Sequence, residues 1–210
     1  MNRRQLLSVV TTAPLVTAWA FRTPVALAQS VNTSDILNDP EAPTFGNPKG
    51  DVTIVAFLDY NCPFCKKAAP DLDRIVKEDG KVRLVYKDWP ILSEASLYGA
   101  QLALAAKYQG KYHSVHHALM AIPGRKIPKE QMLAAVKESG VDFNRLQADM
   151  QQQDAAIMGL IRRNSAQADA IGLRGTPSYL IGPFRTSTLD YSGFKEALVE
   201  ARRRQALSKR

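Results

Sequence analysis

"FLDYNCPFCKKAAPDLDRIV", residues 57–76, holds both cysteines of the chain, Cys62 and Cys65, with Pro63 and Phe64 between them. The residues leading into it, "DVTIVAFL" (51–58), are apolar on both faces, as a buried central strand requires. After the cysteines, Leu72, Ile75 and Val76 keep helical spacing, and Pro70 falls inside that helix, where it predicts a kink. The pair therefore sits where a strand hands over to a helix. Cys62 takes the N-cap, and Pro63 takes the first helical position, where a missing N–H costs nothing.

Three uses of such a pair can be weighed. As a staple, a Cys62–Cys65 bridge closes a tiny loop and removes little unfolded-chain entropy. As a structural zinc site it lacks partners: four ligands in two close pairs are the norm, and the histidines are His113, His116 and His117, with 47 residues between Cys65 and the first of them. An iron–sulfur cluster needs more cysteines, and covalent haem needs His where Lys66 stands. Redox chemistry fits best. A helix N-terminus offers unpaired N–H donors and a partial positive charge, which stabilise a thiolate. Lys66 and Lys67 add to that field. Cys62 is expected to be the exposed nucleophile and Cys65, one turn in, the buried resolving thiol. The same field favours the reduced pair over the disulfide and makes it oxidising. This chemistry calls for no bound cofactor and no metal.

Outward from the pair, "KVRLVYKD" (81–88) reads as a second strand, parallel to the first across the helix. From Ser93, a plausible N-cap, the period turns helical and stays so to Ile171. Pro128 opens and Gly140 closes one of these helices, Asp142 caps the next, and Gly172 ends the last. "TPSYLIG" (176–182) returns to strand, "TSTLDY" (186–191) suggests an edge strand, and "SGFKEALVEARRR" forms a final helix. The division is 1–28 leader, 29–50 arm, 51–92 first half of an α/β sandwich, 93–171 helical insertion and 172–210 second half.

The first 28 residues begin with Arg3 and Arg4, continue through a moderately apolar stretch and end at Ala26-Leu27-Ala28, the pattern of a secretory signal peptide. Cleavage after Ala28 is our reading, with "AWA" (18–20) a competing site. Arg3-Arg4 followed by Gln5-Leu6-Leu7 also suits twin-arginine export, alongside a general secretory route. The full chain of 210 residues carries 28 basic and 20 acidic side chains, net +8; without Arg3, Arg4 and Arg22 the net charge is +5. A balance this mild describes a solvated surface, not a nucleic-acid footprint. The expected setting is an oxidising compartment such as a bacterial periplasm.

These motifs resemble the thioredoxin superfamily, and within it the DsbA-like exported disulfide oxidoreductases. The resemblance rests on "FLDYNCPFCKKAAPDL", "VRLVYKDWPIL", the helical insertion and "GLRGTPSYLIG", and covers nearly all of residues 45–205. It implies a thioredoxin-like α/β fold with an inserted helical subdomain. It also implies that Pro177, after Thr176, is a cis proline facing the Cys62–Cys65 pair, beside which an extended substrate segment can pair. Family members commonly carry Glu six residues before the first cysteine as a proton relay to the buried thiol. Here that residue is Ala56, which leaves Lys87 or water as substitutes, or Asp59, three residues before Cys62 but on the opposite face by strand alternation. Asp59 has an equal claim to a purely local hydrogen-bonding role. The implied function is exchange of the Cys62–Cys65 disulfide with unfolded or partly folded exported proteins. Pro63-Phe64 and export suit an oxidase, whereas Thr before the cis proline is commoner in isomerases and reductases. A membrane redox partner and a monomer are expected. The rival class is a chaperone or metal-binding module that does not turn over.

Among smaller features, Phe64 is expected exposed at the helix tip, and His116 satisfied and partly buried. Met120, Met132, Met150 and Met158 read as core filler.

Overall fold

A computed structural model describes residues 32–208. Residues 32–50 of the segment read as an arm are part of the fold. Asn32 caps a short helix, α1 (Thr33–Leu37), and β1 (Thr44–Gly46) pairs antiparallel at the sheet edge. Then come β2 (Val52–Leu58), α2 (Pro63–Asp79) and β3 (Val82–Asp88), followed by five helical segments. These are α3 (Glu94–Ala106) with a 3-10 turn at Lys107–Gln109, α4 (Tyr112–Ala121), α5 (Lys129–Lys137), α6 (Phe143–Gln152) and α7 (Asp154–Ala170). The chain closes with β4 (Ser178–Ile181), β5 (Phe184–Thr186) and α8 (Tyr191–Ser208). The edge strand therefore lies in "FRT", earlier than expected: Gly182, at φ 55°, turns the chain at once, and "STLDY" leads into α8. The expected leader, residues 1–28, lies outside the described residues.

The sheet order is β1-β3-β2-β4-β5, with β2 and β3 parallel and the other pairs antiparallel. β2 and β3 are almost wholly buried, which explains why their sequences show no alternation. Ile54, Ala56, Leu84 and Tyr86 face α2 and α8, against Leu72, Ile75, Val76, Phe194 and Leu198. That core continues into the insertion through Leu102, Val115, Leu119 and Met132. Val55, Phe57 and Val85 face the other way, onto Ile36 of α1 and Ala168 of α7.

Local chemistry sets the helix ends. Ser93 and Asp142 cap α3 and α6 through their side chains. Pro128 is the N-cap residue of α5, one place earlier than expected. α2 runs through Pro70 as one element and stops at Gly80, whose φ of 66° is left-handed.

Candidate active site

β2 and β4 run antiparallel, with Phe57 opposite Ser178. The end of one strand thus meets the start of the other. The segment leaving β2, which carries the cysteines, comes to lie beside the segment entering β4, which carries Thr176 and Pro177. The Thr176–Pro177 peptide is cis. The Cys62 thiol donates to the Thr176 carbonyl at 3.1 Å across 114 residues of sequence. Ser178 Oγ steadies the turn by donating to the Gly175 carbonyl at 2.6 Å.

Cys62 is the N-cap of α2, and its sulfur accepts from the Cys65 N–H at 3.4 Å. Both thiols are free. Cys62 is 3% exposed and Cys65 is fully buried. The expectation of an exposed Cys62 is thus corrected: the Thr176–Pro177 loop closes over it. The side chain that stands open is Phe64, 59% exposed at the helix tip. The Cys62 thiol is held down at about 6, chiefly because the Cys65 thiol hydrogen-bonds to its sulfur. Burial opposes this, and the N–H groups of Cys65 and Phe64 assist. Burial and the neighbouring Cys62 push the Cys65 thiol far up. One sulfur is prepared as a thiolate and the other as its proton-bearing donor. Lys66 is tied to the carbonyls of Ile122 and Gly124 at 2.9 and 3.3 Å, so its charge stays close to the pair.

Neither expected relay residue is free to serve. Asp59 lies just past β2 and accepts four hydrogen bonds. Asn61 N and Ser96 Oγ each reach Oδ1 at 2.7 Å, and the N–H groups of Ile91 and Leu92 reach Oδ2 at 2.8 and 3.0 Å. Its roughly four acceptor sites are filled. Asp59 holds the loop. Lys87 shares the sheet face of Val85 and Phe57, away from the cysteines, by strand alternation. Its ammonium donates to Asp39 Oδ2 at 2.6 Å. Asn61 was not singled out from sequence. It accepts from Ile127 N at 2.6 Å and donates to Ser93 Oγ at 3.0 Å, which pins the α4–α5 connection to the cysteine loop.

Other polar groups on the cysteine side had no sequence signal beyond their residue type. Tyr179 lies opposite Ala56 and is fully buried, with no hydrogen bond to its hydroxyl. Burial first, then the charges of Cys65 and Cys62, push its phenol up. Tyr112 donates to the buried carboxyl of Asp88 at 3.0 Å, and Tyr60 meets His116 Nδ1 at 3.0 Å. His116 is 3% exposed, more deeply buried than expected, and the Tyr60 hydroxyl is the partner of its Nδ1.

Around Cys62, Phe64, Ile91, Leu92, Arg125, Lys126, Arg174 and Thr176 line a groove of about 520 Å³. Its apolar floor comes from Phe64, Ile91 and Leu92, which are 59%, 45% and 52% exposed.

The fold and site define a DsbA-like protein of the thioredoxin superfamily: a C-x-x-C helix start facing a cis proline, with a helical block set into the sandwich. A family model described as Thioredoxin matches residues 38–200, and the chain belongs to that family. Its structure is similar to that of a thioredoxin-like oxidoreductase from Silicibacter pomeroyi, with 40% identity and a TM-score of 0.76, covering 82% of this chain and 98% of the other. The thiol-disulfide exchange protein alpha-DsbA2 from Wolbachia pipientis is 30% identical with a TM-score of 0.74, over 80% of this chain and 90% of its own. Among curated proteins, the probable disulfide bond formation protein D of Bacillus cereus is 24% identical over 167 residues, 74% of this chain and 76% of the relative. The chain also matches part of larger curated relatives, Na(+)/H(+) antiporters such as NhaA 3 of Salinispora tropica. It is 26% identical to that protein over 161 residues and spans 24% of its length. Among the described residues, no helix is long and apolar enough to cross a membrane.

Proposed function

We propose that this chain is an exported thiol-disulfide oxidoreductase that donates disulfides to unfolded or partly folded proteins in the cell envelope. The observation that carries the reading is the Cys62 thiol, held at about 6 by the Cys65 hydrogen bond beside the cis-proline loop. A pair whose reduced form is stabilised in this way gives up its disulfide readily. A substrate thiolate attacks Cys62 Sγ, the Cys62–Cys65 bond breaks, and Cys65 leaves with the electron pair and takes up a proton. A second substrate thiolate then attacks the substrate sulfur of the mixed disulfide, and Cys62 leaves as its stabilised thiolate. Two electrons pass to the protein, and a membrane redox partner removes them. Pro63, Phe64, Thr176 and Pro177 frame the attack. The groove floored by Phe64, Ile91 and Leu92 suits an extended apolar segment, paired to the exposed backbone beside Pro177. The protein acts as a monomer.

Equilibration with glutathione buffers tests the direction. The proposal expects a potential near that of the strongly oxidising member of the family, about −120 mV. A value near thioredoxin's, about −270 mV, would make the protein a reductase or isomerase. Cys65→Ser is expected to accumulate mixed disulfides with client proteins. If it captures none while the chain still binds unfolded clients non-covalently, the protein is a chaperone.

A further inference from the structure

Two turns beyond the cysteines, α2 carries a second cluster that plays no part in the exchange. Asp73 on α2 and His113 and His117 on α4 each bring one ligand atom to a common point, all within 4.8 Å of one another. The two Nε2 atoms are 3.1 Å apart, and Asp73 Oδ2 is 3.9 Å from that of His113. His117 Nε2 abuts the same oxygen. The four-residue spacing puts both imidazoles on one face of α4. From sequence these histidines offered no reason to expect a metal, because their third partner lies 40 residues upstream of the first, on another helix.

The His113 ring is aimed from behind. Its Nδ1 meets the Tyr86 hydroxyl at 3.2 Å, and the ring stacks on Phe45 at 3.7 Å between centroids. Outer contacts of this kind orient metal-ligating histidines. Asp73 is 6% exposed, and its buried Oδ2 faces His117 Nε2, His113 Nε2 and, at 4.0 Å, Lys77 Nζ. Three potential electron-pair donors thus converge on one point, within reach of a single ion. A cation can satisfy all three.

We propose that Asp73, His113 and His117 bind a divalent transition-metal ion, with zinc the ion the donor set fits best. Two imidazoles and a carboxylate with a fourth position open to water make a common zinc environment. Two nitrogens at bonding distance from a tetrahedral zinc lie about 3.3 Å apart, close to the 3.1 Å observed. The open side is the His117 side chain, 40% exposed, which borders a cleft shared with Lys67, Pro70 and Met120. Lys77 Nζ stands 4.0 Å from Asp73 on a side chain 61% exposed, so it can swing into solvent when the ion binds. The ion cross-links α2, the helix that presents Cys62, to α4 of the helical block, without touching either sulfur.

The test uses tag-free protein stripped with EDTA and titrated with Zn2+ and Co2+. One equivalent is expected to bind and to raise Tm. Co2+ is expected to give visible bands of a four-coordinate site with no thiolate charge-transfer band. Cys62→Ala/Cys65→Ala is expected to bind as the parent does, and His117→Gln and Asp73→Asn each at least about tenfold more weakly, with the Tm gain lost. His113 packs on Phe45 and Tyr86, so the half-exposed His117 carries the test if His113→Gln does not fold. The proposal is overturned if about 0.1 mM Zn2+ shows no saturable binding or Tm gain. It is equally overturned if His117→Gln binds undiminished, or if binding disappears with the cysteines.

Discussion

Cys62 and Cys65 differ in charge because they differ in place. The first sits at the end of the α2 dipole and receives hydrogen bonds; the second is sealed in the core. Titration of the reduced protein at 240 nm is expected to show one thiolate with a midpoint of about 6. Cys65 should stay silent there, since its thiol is pushed up. The folded value lies below the ordinary 9.0, so this thiolate stabilises the reduced fold fully above pH 9 and the contribution is lost as pH falls through 6. Cys65→Ala removes the leading hydrogen bond and is expected to raise the midpoint. A wild-type midpoint of 8.5 or above, about that of a free thiol, would remove the basis for the oxidase reading. Asp88 runs the opposite way: burial pushes its carboxyl from 3.8 to about 7, against the hydrogen bonds of Tyr60 and Tyr112. A raised acid favours the fold below its unfolded value, and that contribution is lost as pH rises from about 4 to about 7. Asp88→Asn is therefore expected to gain Tm relative to wild type between pH 5 and pH 8. An equal gap at both pH values would contradict a buried neutral carboxyl.

At the scale of elements, the cysteine loop is held by hydrogen bonds from other segments. Asp59 gathers the N–H groups of Ile91 and Leu92, ahead of α3, and the hydroxyl of Ser96 in its first turn. Asp59→Ala orphans four donors in a nearly dry site and is expected to cost about 3 kcal/mol or more in urea unfolding. A loss under about 1 kcal/mol would mean water takes its place. The strand–helix–strand unit around Cys62 was legible because two short-range codes agree: unbroken apolar runs for β2 and β3, and Cys-Pro followed by helical spacing for α2. The edge strands were not. β1 and β5 are three residues each and are made by their neighbours' free hydrogen bonds, with no pattern of their own to read.

At the scale of the whole molecule, Asp39 ties three regions together. It lies between α1 and β1, accepts from Lys87 of β3 at 2.6 Å, and accepts twice from Arg163 of α7, each at 3.1 Å. Lys87 is fully buried, so Asp39→Ala strands an ammonium in the core and is expected to cost about 3–5 kcal/mol. Lys87→Met leaves Asp39 its arginine and is expected to cost less. Chemical denaturation of the two variants measures the difference, and equal losses would show that the Lys87 charge is not what Asp39 serves.

The sequence alone determined the C-x-x-C at a helix start and the α/β class with its helical block, because each is written in neighbouring residues, and its family resemblance pointed to Thr176-Pro177 beside the cysteines. It also pointed to Asp59 and Lys87 as relays, and there it failed. Which face a polar side chain occupies, and what it meets, depends on register and on partners tens of residues away. Only the tertiary structure buried Cys62 under Thr176, filled Asp59 with four donors and turned Lys87 to Asp39. Only it brought Asp73 to His113 and His117. A buried charge goes where its counter-charge is, and that position is set by packing of the whole chain.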